Sequence, residues 1–562
     1  MKMPCVWGQG QLFAFSALDG EVHCADDLVG ILSADRIGIR FFTKIKRELA
    51  LTGGKLWDLV FGAVTSDYIA ATVNRGAPMR IVFAAAHLVV GNTAAEMVPL
   101  VLCEGRVTTY SVDGAEVQDS GDGEYTALAA EGDRFAFAFG KSAAEAAALA
   151  RQGLAIDIER AEAEKRAFYE RYGWDDAQYG GLYGKCLSVM KSQLYSAGEG
   201  FSTVWSTPDR LPHKYLWLWD SVFHAVGHRH VNTQLAQDLI LAIFDHQAAD
   251  GFIPHMATPN GASDVTQPPV IAWGAVKVFE KSGDHAFLET VYQKNKAFLY
   301  WCRENRVKGA EGLYIWKTAG EEICRCAESG MDNSSRFDDV VNVEAIDFSC
   351  FMANETRQMR RMAEILDRPD EAAAFAAWHT ALCAAVNQKL WDAADGFYFD
   401  FDYDRGRIHK VWSVASFLPL FAGVCDEARA AALAAQLQNP ATFATAFPIP
   451  CVAKSDPTFG SDMWRGPVWI NYNYMVIDGL REYGYTALAD ALRDRTVDVM
   501  KEWYEKTGTL YEFYGTENDR CPSQLKRKGE PIEPYNMQVR YQSIRDYGWS
   551  ATLLCDWLNE KR

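Results

Sequence analysis

An aspartate in a loop of small polar residues is the first group in this sequence that could do chemistry. The loop runs from Glu328 to Phe337, and Gly330, Asn333 and two serines surround Asp332. It lies between two long helical patterns, so it suits a carboxyl group whose proton affinity is set by its surroundings. The alternative is an Asx-turn or a helix N-cap, because these residues are common in turns. On local grounds alone the turn is the favoured interpretation.

A second carboxyl group lies in the stretch Thr509–Tyr514, where Glu512 stands between aromatic residues. Apolar rings raise the pKa of a neighbouring carboxyl group, whereas polar partners keep another carboxyl ionised. Two carboxyls facing one cavity are the minimum requirement for cleaving a glycosidic bond. One of them protonates the leaving oxygen, and the other acts on water or on the anomeric carbon.

Tryptophan and aspartate occur together at a predicted helix start in the stretch Tyr215–Ser221. Trp217, Trp219 and Asp220 could form a platform on which a sugar stacks while the carboxylate binds its hydroxyls. The alternative is that Asp220 caps the helix and the two rings pack beneath it. The local sequence favours neither interpretation over the other.

Three further segments carry polar or aromatic groups on stiff turns or at helix starts. Gly251–His255 and Thr266–Pro269 each hold a polar side chain close to proline, although a lone His or Gln is usually structural. Asp462–Asn471 enters a helix, with Pro467 suited to the first turn, and its Trp and Arg residues crowd the expected rim of the loops. A packed corner between domains is the alternative for that segment.

Composition and charge narrow the class of protein. With 562 residues the chain is long for one core, so two domains, one of them large, are expected. The formal net charge of -18 argues against nucleic acid as a partner. The 13 cysteines lack regular spacing, which indicates reduced thiols and a cytoplasmic location. We expect neither a signal peptide nor a membrane partner, because the sequence has no sufficiently long apolar run.

Several other chemistries have no matching pattern in the sequence. It contains no HExxH, no Walker loop, no GxGxxG after a strand and no GxSxG. Its Cys and His residues do not fall at the spacing of zinc ligands. We therefore expect no metal and no cofactor in the site.

Three regions of different periodicity must position these groups. Residues 1–140 carry short β-rich runs such as Arg36–Phe42 and Met79–Phe83, which predict an antiparallel β-sandwich. Residues 141–172 open with a capping box and predict one long linker helix. Residues 173–562 show helical periodicity throughout, which predicts an all-α domain.

The helical region divides into about twelve amphipathic segments that tend to come in closely linked pairs. They lie near 182–197, 218–230, 233–248, 269–282, 284–305, 342–367, 369–391, 412–424, 426–437, 466–483, 485–506 and 546–559. Twelve helices in six hairpins predict an α/α toroid, an (α/α)6 barrel. Short links on one face and long loops on the other would bring the functional groups together.

Over residues 175–562 the sequence resembles the inverting (α/α)6-barrel glycoside hydrolases of family 63, especially their mannosylglycerate hydrolase-like branch, and the related trehalases of family 37. Glu328–Arg336 is close to a segment that carries the general acid in both families, and Tyr511–Tyr514 matches the stretch that holds the base. The resemblance therefore implies Asp332 as the general acid and Glu512 as the general base.

Other segments agree in order and content with the substrate-binding elements of the family, among them Trp464–Trp469, and Tyr547–Ser550 resembles the start of its final helix. Together these segments predict a substrate-binding set. Its members are Trp217, Trp219, Asp220, Phe252, His255, Gln267, Trp273, Asn333, Trp464, Arg465, Trp469, Tyr511 and Trp549.

The sequence departs from the family pattern at two places. Family members commonly follow the base with a short turn, whereas Gly515–Arg545 is longer and contains the basic run Lys526–Lys528, which has no obvious role. We expect this loop to reshape the aglycone side of the site or to come from a neighbouring subunit. Met331, beside the acid, stands where Trp is common.

The expected activity is exo-acting hydrolysis of an α-linked glycoside with inversion, on a small α-glucoside or α-mannoside or on an oligosaccharide. A sugar epimerase or isomerase, a glycoside phosphorylase and a non-catalytic glycan-binding protein are the alternatives. The sugar, the aglycone and the accepted chain length stay open. The oligomeric state stays open too, with a homo-oligomer as one alternative.

Overall fold

The structure is a computed structural model, and it describes residues 2–7, 10–33, 37–43, 45–53, 58–74, 76–94, 97–318, 324–530 and 542–562. Contacts divide the chain into two compact units. The first comprises Met1–Glu199, Asp209–Leu211 and Lys501–Leu510, and the second comprises Gly200–Pro208, Pro212–Met500 and Tyr511–Arg562. The domain limits expected at residues 140 and 172 differ from these and stay a prediction.

The first unit contains two antiparallel sheets. One has the strand order β1-β2-β3-β4-β9, and the other has the order β10-β11-β12-β13-β8-β7-β6-β5. The strands are β1 (Leu12–Ala14), β2 (Val29–Leu32), β3 (Gly38–Phe41), β4 (Arg47–Thr52), β5 (Leu59–Val64), β6 (Tyr68–Val73), β7 (Ala77–Ala85), β8 (Leu88–Asn92), β9 (Val98–Cys103), β10 (Thr108–Val112), β11 (Ala115–Asp119), β12 (Tyr125–Glu131) and β13 (Arg134–Gly140).

The two sheets pack against each other through buried aromatic rings. The ring of Phe41 on β3 lies 5.0 Å from that of Phe137 on β13 and 6.3 Å from that of Phe83 on β7. Alternation along these strands points the rings to one face, where burial of their apolar surface stabilises the pair of sheets. The predicted β-sandwich is confirmed. Arg36, the first residue of one predicted strand, lies outside the described residues.

The single linker helix predicted over residues 141–172 is wrong, because the structure has two helices there. They are α1 (Ala143–Gly153) and α2 (Ile158–Tyr172). Ser142 caps α1 by accepting a hydrogen bond from the Glu145 amide, as the capping box predicts. The Asp157 side chain accepts from the Arg160 amide and starts a second helix. A helix α3 (Gly180–Ser192) follows in the same unit.

The second unit is mainly helical. Its helices are α4 (Leu218–His228), α5 (Thr233–Leu241), α6 (Ile271–Ser282), α7 (His285–Asn305), α8 (Ile346–Ile365), α9 (Pro369–Lys389), α10 (Leu418–Phe421), α11 (Glu427–Leu437), α12 (Ile470–Glu482), the first part of α13 (Thr486–Thr507), and α14 (Gly548–Glu560). Within the part of the chain that the structure describes, no helix is long and apolar enough to cross a membrane.

Six of these helices form a closed inner ring. Each of α4, α6, α8, α10, α12 and α14 contacts the next, and α14 returns to α4. Helices α5, α7 and α9 pack against members of the ring. Every residue of α4 is buried, whereas much of α9 is exposed, as the inner and outer layers of a helical barrel require. The (α/α)6 barrel predicted from the sequence is confirmed.

Close approach between inner helices depends on glycine at two positions. A Cβ at Gly227 of α4 would lie 2.6 Å from the Thr552 backbone of α14. A Cβ at Gly274 of α6 would lie 2.2 Å from the Val222 side chain of α4. Any side chain larger than hydrogen at either position would therefore push these helices apart.

The predicted helical segments correspond to observed helices, with shorter regular stretches in two places. The segment 412–424 contains a 3-10 turn, Val414–Phe417, before the short α10, and the segment 233–248 ends in the 3-10 turn Ala242–His246. Other 3-10 turns are Cys24–Asp26, Ala327–Ser329, Ser335–Phe337 and Pro522–Gln524. Short strands occupy several connections: Leu194–Tyr195, Trp205–Ser206, Leu216–Trp217, Met256–Thr258, Gly261–Ala262, Val343–Glu344, Trp391–Asp392, Phe397–Tyr398, Asp400–Asp402 and Arg407–His409.

A buried carboxyl group ties three of the barrel helices together. Glu355 on α8 accepts hydrogen bonds from the amides of Ala272 and Trp273, at 2.9 and 3.0 Å, in the first turn of α6. Asn295 on α7 donates to it as well, at 2.8 Å. Glu355 thus caps α6, where Val270 at the N-cap has no side chain able to do so. Burial raises the pKa of Glu355 to about 7, although these three donors favour the ionised form.

We expect wild-type stability to fall with pH relative to that of Glu355→Gln. The raised folded-state pKa means that the protonated group stabilises the fold below the ordinary value of 4.5, and this stability is lost as the pH rises through about 7. The difference in free energy of unfolding between the two proteins should change by a few kcal/mol over this window. Urea unfolding at pH 5 and pH 8 measures it.

Glu364→Gln, at an exposed position of the same helix, is the control for that measurement. The difference in free energy of unfolding between wild type and Glu355→Gln is the quantity to compare. If it is the same at both pH values, Glu355 is not a buried carboxyl that binds a proton.

Candidate active site

Both predicted catalytic carboxyls line one cavity of about 260 Å³ in the second unit. The cavity lies where inner helices begin. Trp219 and Asp220 occupy the first turn of α4, Trp469 directly precedes α12, and Trp549 lies in the first turn of α14. The loops that enter these helices therefore form the walls of the cavity.

The Asp332 loop rests on a buried arginine, Arg336. Its Nη1 and Nη2 atoms donate to Asp347 at 2.5 and 2.9 Å. Its Nε and Nη2 atoms each donate to Asp400 at 2.8 Å. Asp347 also accepts a hydrogen bond from the indole N–H of Trp316 at 2.9 Å. The paired carboxylates raise the pKa of Arg336 despite its burial, so this guanidinium stays charged. The charged cluster determines where the C-terminal half of the loop lies.

Glu328 anchors the other end of the loop. Its carboxylate pairs with Arg306 at 2.7 Å and accepts hydrogen bonds from the amides of Thr266 and Lys317 at 3.2 and 2.6 Å. Because Thr266 precedes the Gln267 turn, this one carboxylate also positions a second wall of the cavity. The side chain of Glu328 is fully buried, so each of these partners compensates for lost solvation.

A glycine next to the acid allows a tryptophan to approach the loop. Gly330 has a φ of 71°, in the left-handed region that favours glycine. A Cβ at this position would lie 2.5 Å from the ring of Trp219. Any other residue would therefore displace the ring from the cavity wall.

Glu512 is held in the cavity wall by backbone and side-chain contacts. Its amide donates to the carbonyl of Ile544 at 2.8 Å. Arg527 donates to both of its carboxylate oxygens, at 2.7 and 3.0 Å. Glu512 and Arg527 are both nearly fully buried, and a two-point pair of this kind fixes the orientation of the carboxylate.

The basic run that the sequence left without a role reaches both carboxyls. Arg527 pairs with Glu512, and the ammonium of Lys528 pairs with Asp332 Oδ2. Lys526 instead pairs with Glu530, away from the cavity lining. Residues 531–541 of the same long loop lie outside the described residues.

Aromatic rings form much of the remaining wall. Trp464 and Trp469 stack with their ring centroids 3.7 Å apart, and Trp219 meets Trp549 edge-on at 5.5 Å. Aromatic walls of this kind suit the apolar faces of a sugar ring. The hydroxyls of such a ligand need polar partners, which the cavity also contains.

Three predicted polar residues line the cavity beside these rings. Asp220 is 2% exposed, and Gln267 accepts a hydrogen bond from the Trp219 amide at 3.2 Å. His255 lies against the Trp217 ring. Burial lowers the pKa of His255, an effect that nearby Asp332 opposes, so the imidazole is neutral at pH 7.

Ten of the residues predicted for the site line the cavity: Trp217, Trp219, Asp220, His255, Gln267, Asp332, Trp464, Trp469, Glu512 and Trp549. The other five do not. Asn333 and Arg465 connect two loops, since the Arg465 guanidinium donates to the Asn333 carbonyl at 2.8 Å and pairs with Asp338. Phe252 packs on Trp301.

Two further predicted residues also lie behind the cavity wall. Trp273 contacts Phe223 and Tyr474 between inner helices, and the ring of Tyr511 packs on Tyr514. Apolar rings near a motif look alike in sequence whether they face a cavity or the core, so the sequence does not separate these two residues from those that line the cavity. Their roles as substrate contacts stay predictions without support from the lining.

The sequence reasoning missed several residues that line the cavity. They are His213, Tyr215, Met256, Cys324, Ala327, Gly330, Met463, Arg527, Lys528 and Tyr547. Arg527 and Lys528 carried a usable signal, since a basic run in an acidic chain is unusual. The others lie within or beside segments that were already singled out, except for His213 and Cys324.

A family model described as the mannosylglycerate hydrolase MGH1-like glycoside hydrolase domain matches residues 213–550, more than half of the chain. The chain belongs to this family. It is therefore an O-glycoside hydrolase, and the resemblance found in the sequence is confirmed. The matched residues include the Asp332 loop, Glu512 and the long loop that carries Lys528.

Relatives of known activity agree with the family. Mannosylglycerate hydrolase from Thermus thermophilus is 27% identical over 380 residues, which is 52% of this chain and 89% of that protein. A crystal structure of a family 63 mannosylglycerate hydrolase from Thermus thermophilus, in complex with glucose, is 26% identical. It matches with a TM-score of 0.53 and covers 67% of this chain and 100% of that one.

A more distant structure covers both units of the fold. A bacterial glucoamylase complexed with acarbose matches with a TM-score of 0.62 at 9% identity, covering 99% of this chain and 95% of that chain. At this identity the likeness concerns the fold alone.

We expect Arg336→Met to destabilise the protein by about 3–5 kcal/mol, because it leaves Asp347 and Asp400 buried without their cation. Arg360→Met removes a half-exposed arginine that pairs with half-exposed Glu364 and should cost about 1 kcal/mol or less. Urea unfolding monitored by tryptophan fluorescence compares them. Equal effects of the two substitutions would show that the Arg336 cluster does not support the loop.

Proposed function

We propose that the protein is an exo-acting, inverting hydrolase of a small α-linked glycoside, an α-glucoside or an α-mannoside. Asp332 protonates the glycosidic oxygen, and Glu512 accepts a proton from the water that attacks the anomeric carbon from the opposite face. The observation that carries the proposal is the meeting of these two carboxyls, from separate loops, in one aromatic-walled cavity.

The size of the cavity supports attack on a terminal sugar. Its volume of about 260 Å³ lies below the roughly 300–1,000 Å³ typical of pockets for drug-sized ligands. One sugar with a small leaving group fits such a space better than a run of several sugars. Trp217, Trp219 and Asp220 would bind the face and hydroxyls of that terminal sugar.

The partners of Glu512 support its role as the base. A base must be ionised before it can take a proton from water. The guanidinium of Arg527 contacts both carboxylate oxygens and so fixes their orientation in the cavity. With both oxygens oriented, one remaining lone pair can point at a water above the sugar.

Phosphorolysis is the alternative that one observation favours. Arg527 and Lys528 bring two cations to the cavity, where an inorganic phosphate could bind. A phosphorylase needs only one carboxyl, however, which would leave Glu512 without a role. Turnover that requires phosphate and releases a sugar 1-phosphate would establish this alternative, whereas hydrolysis yields free sugar without added phosphate.

The proposal includes a cytoplasmic location and a small-molecule or oligosaccharide partner. All 13 cysteines are free, and several are fully buried. Free thiols of this number are typical of proteins kept in a reducing compartment. The Thermus relative is named for hydrolysis of mannosylglycerate, which makes a mannoside of a small acid a reasonable first substrate to test.

We expect Asp332→Asn and Glu512→Gln each to lower kcat/KM for an α-mannoside of an alcohol by at least about a hundredfold, the usual contribution of a general acid or base. Assays on α-glycosyl fluorides separate the two roles. Fluoride leaves without protonation, so Asp332→Asn should regain most of its activity on the fluoride, whereas Glu512→Gln should not.

Matched controls are available beside both residues. Asp339→Asn changes an exposed carboxylate two residues after the Asp332 loop, and Glu517→Gln changes an exposed one shortly after Glu512. Both should behave as wild type. Full activity of Asp332→Asn on the alcohol glycoside, or recovery of Glu512→Gln on the fluoride, would contradict the assignment.

A further inference from the structure

An arginine is buried between the two sheets of the first unit. Arg47 on β4 lies opposite Phe41 on β3 and Cys103 on β9 in the antiparallel register. Directly opposed residues of neighbouring strands share a face of the sheet, and the ring of Phe41 contacts Phe137 of the other sheet. Arg47 therefore points between the sheets, where it is 1% exposed.

Only one edge of this guanidinium is satisfied by the protein. Its Nη1 donates to Thr43 Oγ1 at 2.9 Å and to the Ile45 carbonyl at 3.3 Å, and it lies 3.5 Å from Glu124. Among the described residues, Nε and Nη2 have no hydrogen-bond partner. These two nitrogens form the side-on edge of the guanidinium, whose parallel N–H bonds match two oxygens of a carboxylate or a phosphate.

A threonine on the facing sheet offers a third donor. The Cys103 thiol donates to Gln118 Oε1 at 2.7 Å across the two sheets, so the Gln118 side chain faces inward. Thr126 on β12 lies opposite Gln118 on β11 and shares that face. It is 1% exposed, and within the part of the chain that the structure describes its hydroxyl has no partner.

The strand order places these two groups in one layer. In one sheet β4 is next to β9, and in the other β12 is next to β11. Arg47 and Thr126 therefore lie directly behind Cys103 and Gln118, one strand further from the edge of the sandwich. Buried polar groups without partners are unfavourable, so this layer needs a ligand that accepts hydrogen bonds and carries negative charge.

A cleft leads from the surface to this layer. It has a volume of about 750 Å³, and both Cys103 and Gln118 line it. Because β9 and β10 are the last strands of the described sheets on this side, the sandwich is open there. The volume exceeds the need of one inorganic ion and falls within the roughly 300–1,000 Å³ of small-molecule pockets. Thr109 and Ser120 add hydroxyls to the wall.

The neighbouring acidic groups leave the free edge of Arg47 without an anion. Burial raises the pKa of the Cys103 thiol, an effect that Arg47 opposes, so the sulfur stays protonated and donates to Gln118. Glu124 contacts Nη1, the nitrogen outside the side-on edge. The cation is therefore only partly compensated by the protein.

We propose that the first unit binds a small polar metabolite through a carboxylate or phosphate group, which Arg47 and Thr126 hold between the sheets. The anion accepts hydrogen bonds from Nε and Nη2 of Arg47 and from the Thr126 hydroxyl, and the rest of the molecule occupies the cleft. It enters as the Cys103 thiol and the Gln118 amide separate, which breaks one weak hydrogen bond. The site shares no residue with the lining of the active-site cavity and does not depend on the proposed function.

Calorimetry on the full-length protein tests the proposal with four probes at constant ionic strength. They are D-glucose 6-phosphate, D-gluconate, inorganic phosphate and D-glucose. Wild type should bind one of the two charged sugars, and Arg47→Lys should bind it at least about tenfold more weakly, because lysine keeps the charge but lacks the fork. Any binding in the active-site cavity is common to both proteins and cancels in this comparison.

Thr126→Val removes the third donor with little change of shape, so it tests the site even if the arginine variant fails to fold. It should weaken binding of the same probe about fivefold. Two matched controls should equal wild type. Arg40→Lys changes an arginine that pairs with Glu48 on the opposite face of the same sheet, and Thr72→Val changes an exposed threonine of the other sheet.

Thermal unfolding gives a second readout. A ligand that binds only the folded protein raises Tm, so the probe that calorimetry identifies should raise the Tm of wild type more than that of Arg47→Lys. Phosphate also stabilises proteins by its exclusion from their surface. That effect is the same in both proteins, so equal shifts of Tm would contradict a site at Arg47.

The probes also separate the two anions and set the limits of the proposal. Arg47-dependent binding of D-glucose 6-phosphate supports a phosphate ligand, and that of D-gluconate supports a carboxylate. Inorganic phosphate bound as tightly as D-glucose 6-phosphate would mean an adventitious ion only and would overturn the metabolite site. Absence of binding by both charged sugars, or equal affinities of wild type, Arg47→Lys and Thr126→Val, would overturn it as well.

Discussion

The site depends above all on one buried cation. Arg336 lies between Asp347 and Asp400 beneath the loop that carries Asp332, and all three charges are nearly fully buried. A buried charge without its partners is expensive, so the loop has one favourable position in which every charge is paired. The orientation of the proposed acid follows from this requirement, because Asp332 is only a few residues away from Arg336.

A second set of contacts makes the acid and the base parts of one assembly. The Asn333 side chain accepts from the Trp464 amide at 3.0 Å, which joins the acid loop to the segment before α12. That segment in turn holds the loop of Lys528 through Asp462. The consecutive residues Arg527 and Lys528 then reach Glu512 and Asp332, respectively. The spacing of the two carboxyls is therefore controlled by loops that contact one another.

The sequence predicted the helical barrel well because its apolar period of 3.6 residues is a local property. It singled out Asp332 and Glu512, both of which line the cavity, because their neighbouring residues form distinctive motifs. It could not place Arg527 and Lys528, whose partners are 15 and 196 residues away along the chain and meet them only in the folded state. The ring of Trp273 contacts other inner helices and is not part of the cavity lining, and no local pattern in the sequence reveals which side of a wall a ring faces.

Proton NMR of the sugar first released from an α-glycoside tests the central mechanism most directly. With Asp332 as acid and Glu512 as base, water attacks the face opposite to the leaving group, so the β-anomer should appear first and then mutarotate. Initial release of the α-anomer would mean that the configuration is retained. In that case Glu512 would attack the anomeric carbon itself, and the assignment of a water-activating base would be wrong.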